Sequence, residues 1–150
     1  MQLFDINHTD GLQPVVATVG FFDGVHAGHR YLIEQVKTVA CEKGLRSAVI
    51  TFKNHPRKTL QSSFIPELLS LYPEKLQQLE TTGVDICISM DFTLEMSKLS
   101  AREFIQEILK KKLHVSALLV GYDHRFGHNR EEGYYHYKQY GEEVGIEVLQ

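Results

Sequence analysis

The sequence predicts an α/β fold built on a parallel, doubly wound sheet, and three observations carry that prediction. From Pro14 onward, apolar runs of strand length alternate with amphipathic runs of helix length. The first of these strand runs, PVVATVG, is continuously β-branched or small and ends in glycine, as a strand covered on both faces does. Two glycine-rich stretches, at 20–28 and 121–133, each follow a strand directly. Such alternation implies right-handed crossovers and places ligands beyond the carboxyl ends of the strands. At 150 residues the chain fits one domain, large enough to bury a core without disulfide or metal staples.

Taken in order, Pro14–Gly20 is the first predicted strand. A helix follows, with Leu32, Ile33, Val36, Val39 and Ala40 at helical spacing and Gly44 as its C-terminal stop. LRSAVITF, Leu45–Phe52, is the second strand. Lys53–Tyr72 has no firm period and reads as a long loop. Pro73 opens a helix through Glu80. VDICISM, Val84–Met90, is the third strand, and the connector after it carries no assignable element. SAREFIQEILKKKL begins with a capping box, Ser100 and Glu103, and sets Phe104, Ile105, Ile108 and Leu109 on one helix face. VSALLVG, Val115–Gly121, is the fourth strand. A Tyr-rich helix spans Tyr134–Val144, and IEVLQ begins a fifth strand. No internal repeat, low-complexity tract or linker marks a domain boundary.

Composition excludes several classes. With 16 Lys+Arg against 19 Asp+Glu the net charge is -3, which gives no general attraction to nucleic acid or anionic lipid. Phosphate chemistry must then be local. Cys41 and Cys87 form neither a CxxC pair nor a metal-like spacing and read as buried small apolar residues. The N-terminal MQLFDINHTDG has no basic leader, and no stretch reaches about 18 consecutive apolar residues. The expectation is a soluble, cytoplasmic protein with no membrane or nucleic-acid partner.

The chemistry concentrates in GFFDGVHAGHRYLIEQV, Gly20–Val36. Where the Ser100 helix closes its end with a hydroxyl and a carboxylate, the helix after His26 begins HAGHR, with no Ser, Thr, Asp or Asn. Its first-turn amides and positive dipole end stay open, which suits an anion. His26 and His29, three apart, can both face one phosphate, while Gly20 and Gly24 let backbone approach it. Two imidazoles are too few for a zinc site and no Cys or His elsewhere completes one. The dinucleotide fingerprint GxGxxG and the Walker A loop are both absent. Asp23 suits a turn cap as well as a catalytic role. Tyr134, Tyr135, Tyr137 and Tyr140 suit helix packing and surface better than base stacking, since no basic stripe interleaves them. Lys110, Lys111 and Lys112 suit the negative end of their helix.

These residues carry a resemblance. GFFDGVHAGH resembles the HxGH signature of the nucleotidyltransferase superfamily and, in the longer form G-x-F-D-G-x-H-x-G-H, that of prokaryotic FAD synthetases. TFKNHPRKTL is similar to that family's T-F-x-P-H-P loop, LLSLYPEKLQQLETTGVD to its L-L-T-x-x-E-K segment, and LLVGYDHRFGHNREEG to its V-G-x-D-F-R-F-G-x-x-R-x-G block. Asn54 stands where the family commonly has proline, and His124 where it has an aromatic. The resemblance implies a Rossmann-like sheet of the HxGH type and transfer of AMP from ATP to FMN, giving FAD and pyrophosphate with Mg2+. It implies catalytic roles for His26 and His29. Gly20, Phe21, Phe22, Asp23, Gly24 and Gly28 would cradle ATP, with Gly121, Asp123, Arg125 and Gly127 on the other wall. Asn54, His55, Pro56 and Phe126 would border FMN; no metal ligand is assigned. The family continues with an I-S-S-T-x-I-R segment and a riboflavin kinase domain. Because Gln150 falls inside an apparent strand, the expectation is a domain incomplete at its C-terminal end, belonging to a longer bifunctional parent. Two alternatives stay open: an adenylyltransferase for another phosphorylated acceptor, such as phosphopantetheine or nicotinamide mononucleotide, and a non-catalytic nucleotide- or flavin-binding fragment.

Overall fold

The computed structural model describes residues 1–53, 67–121, 126–127 and 132–150, and of 67–71 the backbone only. Its strands are β1 (Gln2–Asp5), β2 (Val15–Val19), β3 (Arg46–Phe52), β4 (Ile86–Met90), β5 (Val115–Leu119) and β6 (Glu147–Leu149). Between them lie α1 (Ala27–Lys43), α2 (Glu67–Glu80), α3 (Leu94–Ser97), α4 (Ala101–Glu103), α5 (Phe104–Lys112) and α6 (Tyr134–Glu142). The six strands form one sheet in the order β1-β4-β3-β2-β5-β6, and every pair is parallel. The predicted doubly wound α/β sheet is therefore the observed one.

Strand period sorts the core into two layers. Val15, Ala17 and Val19 of β2 join the side of the sheet packed by Phe104, Ile105, Ile108 and Leu109 of α5 and by Tyr137 of α6. Val16 joins the opposite side, against Val36 and Ala40 of α1. On that side Ile33 of α1 and Leu79 of α2 also meet Val49 and Cys87. Covered on both faces, β2, β3 and β4 are buried almost throughout. Strand order reverses beside β2: the chain leaves it toward β3 and β4 and later returns to its other edge as β5. In such sheets the crevice at the reversal lies beyond the carboxyl ends of the two flanking strands, here β2 and β5.

The structure departs from the sequence reading in five places. A first strand, β1, pairs with β4 from Gln2↔Ile86 to Asp5↔Ser89, so there are six strands among the described residues where five were expected. Helix α2 begins at Glu67, with Pro73 inside it instead of at its start, and so takes in the end of the expected Lys53–Tyr72 loop. Proline's fixed φ is helical, and inside a helix it removes one hydrogen bond without having to end the element. The unassigned connector holds α3, capped by Thr93, whose hydroxyl accepts from the Met96 amide at 3.1 Å. The capping box at Ser100 is present, but beyond Glu103 the helix winds as a π-helix, so that the Leu113 amide reaches the Ile108 carbonyl at 3.1 Å. Finally, Cys41 is exposed, because it lies one position past the buried Ala40 on α1; Cys87 is buried as expected. Burial pushes the Cys87 thiol up to about 11, which leaves it protonated and inert.

Candidate active site

The loop from Gly20 to His26 joins β2 to α1 at the reversal of the sheet, and its backbone is unusual. Phe22 (φ 56) and Val25 (φ 40) take left-handed conformations that side chains disfavour, and Gly24 (φ 75) lies between them. Two features hold the turn shut. The Val25 amide donates to the Phe22 carbonyl at 3.2 Å, and the Phe22 and Val25 side chains are buried among Ile33, Val49 and Leu79. At Gly20 a Cβ would press on the Phe22 ring at 3.1 Å, so this glycine is needed for the loop's own packing.

His26 is the N-cap of α1, in extended conformation, and its side chain makes no capping hydrogen bond. The helix is not bare, as the sequence suggested: the His26 amide donates to Nδ1 of His29 at 3.0 Å, half of a capping box in which imidazole replaces a carboxylate. Because Nδ1 accepts, the neutral His29 ring carries its proton on Nε2, which remains a donor. The two imidazoles lie side by side, ring centroids 5.5 Å apart, and the Phe22 ring meets His29 edge-on at 5.1 Å. Burial lowers the His29 pKa from 6.5, His26 lowers it further and Asp23 opposes both. The first turn has no acidic residue, and a Cβ at Gly28 would meet nothing within 4 Å. Two adjacent imidazoles thus stand at a helix N-terminus that carries no acidic group.

One participant escaped the sequence reading. Lys75 of α2, only 8 % exposed, donates to the carbonyls of Phe21 at 2.7 Å and Phe52 at 2.9 Å and to the Thr51 hydroxyl at 3.4 Å. Asp23 places Oδ1 4.0 Å from the ammonium. Its only sequence signal was the E-K pair in the segment resembling the family's. Beside it the rings of Phe21 and Phe52 stack at 4.6 Å and Phe92 meets Phe52 edge-on at 5.5 Å, an aromatic cluster at the carboxyl ends of the strands. Lys53 pairs with Asp5, and Tyr72 with Ser89, across the neighbouring strand ends.

The second glycine-rich stretch follows β5. A Cβ at Gly121 would meet nothing within 4 Å. Gly127 (φ 94) abuts the start of α4 so closely that a Cβ would come within 2.6 Å of the Ala101 amide nitrogen, which is reason enough for glycine there. Phe126 stacks on Tyr137 at 4.1 Å and leans on Phe104, so one of its faces is taken. The buried Tyr137 hydroxyl accepts from the Phe126 amide at 3.0 Å and donates to the Glu132 carbonyl at 2.8 Å, joining those two residues to α6. Tyr135 is exposed, and the helix-packing reading of these tyrosines holds. Asp123, Arg125, Asn54, His55 and Pro56 lie outside the described residues. Among the described residues no group of three or more His, Cys, Asp and Glu could hold a metal ion, and no helix is long and apolar enough to cross a membrane.

Comparison with known proteins bears on this geometry. The chain is 39% identical over 118 residues to the bifunctional riboflavin kinase/FMN adenylyltransferase of Listeria monocytogenes, covering 77% of this chain and 37% of that one. It is 35% identical over 133 residues to the Escherichia coli K12 protein of the same description, covering 89% and 42%. The chain thus spans about two fifths of the length of these relatives. A solved structure from Streptococcus pneumoniae described as a macrolide-efflux protein matches with a TM-score of 0.81 over 99% of this chain and 50% of that one. At 24% identity that likeness concerns the fold alone. The sequence model of FAD synthetase matches residues 8–150, that is, both glycine-rich loops and every element of the sheet except β1, and the chain belongs to the FAD synthetase family.

Proposed function

We propose that this chain transfers AMP from ATP to the phosphate of FMN, giving FAD and pyrophosphate. The observation that carries the reading is the pairing of His26 and His29 at an acid-free helix N-terminus, on a backbone-strained loop at the sheet's reversal. An FMN phosphate oxygen attacks the α-phosphorus of ATP in line, and the bond from that phosphorus to the bridging oxygen breaks as pyrophosphate leaves. No protein nucleophile is needed, so the protein's part is position and charge stabilisation. His29 donates from Nε2 and His26 from its ring to the phosphate oxygens as negative charge moves onto the leaving group. The first-turn amides of α1 face the same charge. Mg2+ arriving with ATP would share the phosphates and needs only one or two protein carboxylates. Asp23, exposed on this loop, is the described carboxylate placed to supply one.

Gly121 and Gly127, with Asp123 and Arg125, are assigned to the nucleotide's second wall, and Asn54, His55, Pro56 and Phe126 to the flavin side. The names of the Listeria and Escherichia relatives pair two activities. We assign FMN adenylylation to this chain and riboflavin phosphorylation to sequence outside it, in a protein of the cytoplasm.

The test is to incubate the chain with FMN, ATP and Mg2+ and follow FAD by chromatography, beside His29→Ala. FAD from the wild type and a loss of at least about 100-fold in the variant are expected, the scale of one preorganised donor removed. Wild-type FAD formation by His29→Ala would overturn the assigned role.

A further inference from the structure

A lysine ammonium is seldom buried unless its protons are all engaged, and where only packing is needed an apolar side chain of the same length serves better. Lys75 is buried, and its donors go to two carbonyls from different places in the chain. Phe21 lies in the loop that ends at His26, the cap of the helix carrying His29; Phe52 closes β3. The Thr51 hydroxyl adds a second donor to the Phe21 carbonyl at 3.1 Å, so strand end and loop are sewn together around one cation. Burial pushes the lysine pKa down, and the nearby Asp23 carboxylate opposes that shift.

We propose that Lys75 is a positioning residue for adenylyl transfer, which ties the loop after β2, assigned to ATP, to the carboxyl end of β3, and so fixes where the histidine-bearing loop sits against that strand end. The inference rests on the FMN-adenylylation reading for what that loop holds. In-line attack requires reacting atoms about 3–3.5 Å apart and aligned, and a misplacement of about 1 Å costs on the order of 100-fold in rate. Each substrate's own contacts survive such a shift, so the loss belongs in kcat and not in either KM.

Lys75→Met in the full chain, measured where circular dichroism shows it folded, separates this role from a merely structural one. The expected result is kcat down about 100-fold with the KM for ATP and for FMN each within about threefold. Lys75→Arg, which keeps the charge and several donors, should recover about a tenth of wild-type kcat. A Lys75→Met kcat within about threefold of wild type would overturn the proposal, as would a rise in both KM values at unchanged kcat. Should Lys75→Met not fold, Thr51→Val removes one donor from the Phe21 carbonyl at constant shape. It is expected to lower kcat about fivefold, the scale of one hydrogen bond, and an unchanged kcat overturns the proposal. Hydrogen exchange reads the tie without the reaction. Amides of residues 20–25 should exchange faster in Lys75→Met, or in Thr51→Val, while those of β4 do not change. If the wild type makes no FAD but this exchange is accelerated, the adenylyl-transfer reading fails and the tie stands. If the exchange is unchanged, the tie fails whatever the wild type makes.

Discussion

Helices α1 and α4 start from the same backbone geometry and close it with different chemistry. Their N-caps, His26 (φ -71, ψ 172) and Ser100 (φ -69, ψ 164), are both extended. At α4 the Ser100 hydroxyl accepts from the Glu103 amide at 3.1 Å and the Glu103 carboxylate accepts from the Ser100 amide at 3.0 Å. That bond to the Ser100 amide holds the Glu103 carboxyl below its ordinary pKa. At α1 an imidazole nitrogen takes the carboxylate's place, and nothing acidic enters the first turn. Both helices satisfy the N-cap amide; only α4 also neutralises the positive end of its dipole. The contrast teaches what to look for in an anion site: an end whose cap accepts without bringing a negative charge and keeps a donor to spare.

The largest expected effect breaks that contrast at the imidazole. His29→Ala should cut FAD formation by at least about 100-fold, while the melting temperature moves only by what one exposed cap contact contributes, about 1 kcal/mol or less. The next brings the acidic character of α4 to α1. Gly28→Glu introduces a first-turn carboxylate where a Cβ has open space. Replacing a helical glycine and complementing the dipole should together stabilise the fold by about 1 kcal/mol. The same charge should repel the phosphates and lower FAD formation about tenfold, the effect of roughly 1.4 kcal/mol in a solvated site. A more stable variant with undiminished FAD formation would place the anion elsewhere. Conversely, Ser100→Ala should cost about 1 kcal/mol in chemical denaturation and leave kcat within about twofold, because its cap serves the helix alone.

The positions of these two helix starts are legible in the sequence because their signals are local, but the bond by which His29 closes half a box at α1 is not. A box at i and i+3, a glycine stop at Gly44 (φ 68) and a 3.6-residue apolar period all lie within one element. What stayed hidden depends on distant partners. β1 is four residues long, at a sheet edge and largely exposed, and its register is set by β4, with Gln2 beside Ile86. Beyond the E-K pair nothing in the sequence marks Lys75, since its shorter bonds go to backbone carbonyls and every residue has one. The resemblance places Phe126 beside FMN, and only the folded chain brings Tyr137 onto one of its faces. The structure brings the His26 and His29 rings within 5.5 Å because they are three residues apart at the start of one helix, and the family motif names the same pair.

The smallest effect tests the contrast most directly, because it reads the charge of the α1 end itself. Burial and His26 both disfavour the imidazolium at His29, and Asp23 favours it, so the folded pKa lies below the ordinary 6.5. A depressed histidine pKa means that folding prefers the neutral ring. Its contribution to stability is complete above pH 6.5 and is lost as the pH falls through the folded value. Protonation must also break the bond at Nδ1, since imidazolium cannot accept from the His26 amide. Nuclear magnetic resonance titration of the ligand-free protein should therefore place the His29 midpoint below 6.5. Asp23→Asn should lower it further and His26→Gln should raise it, each by a fraction of a unit, as fits an interaction through partly solvated space. A His29 midpoint above 6.5 would mean that negative charge already faces this helix end. In that case α1 would be closed like α4, and the imidazole would be part of the closure instead of a donor held ready for phosphate.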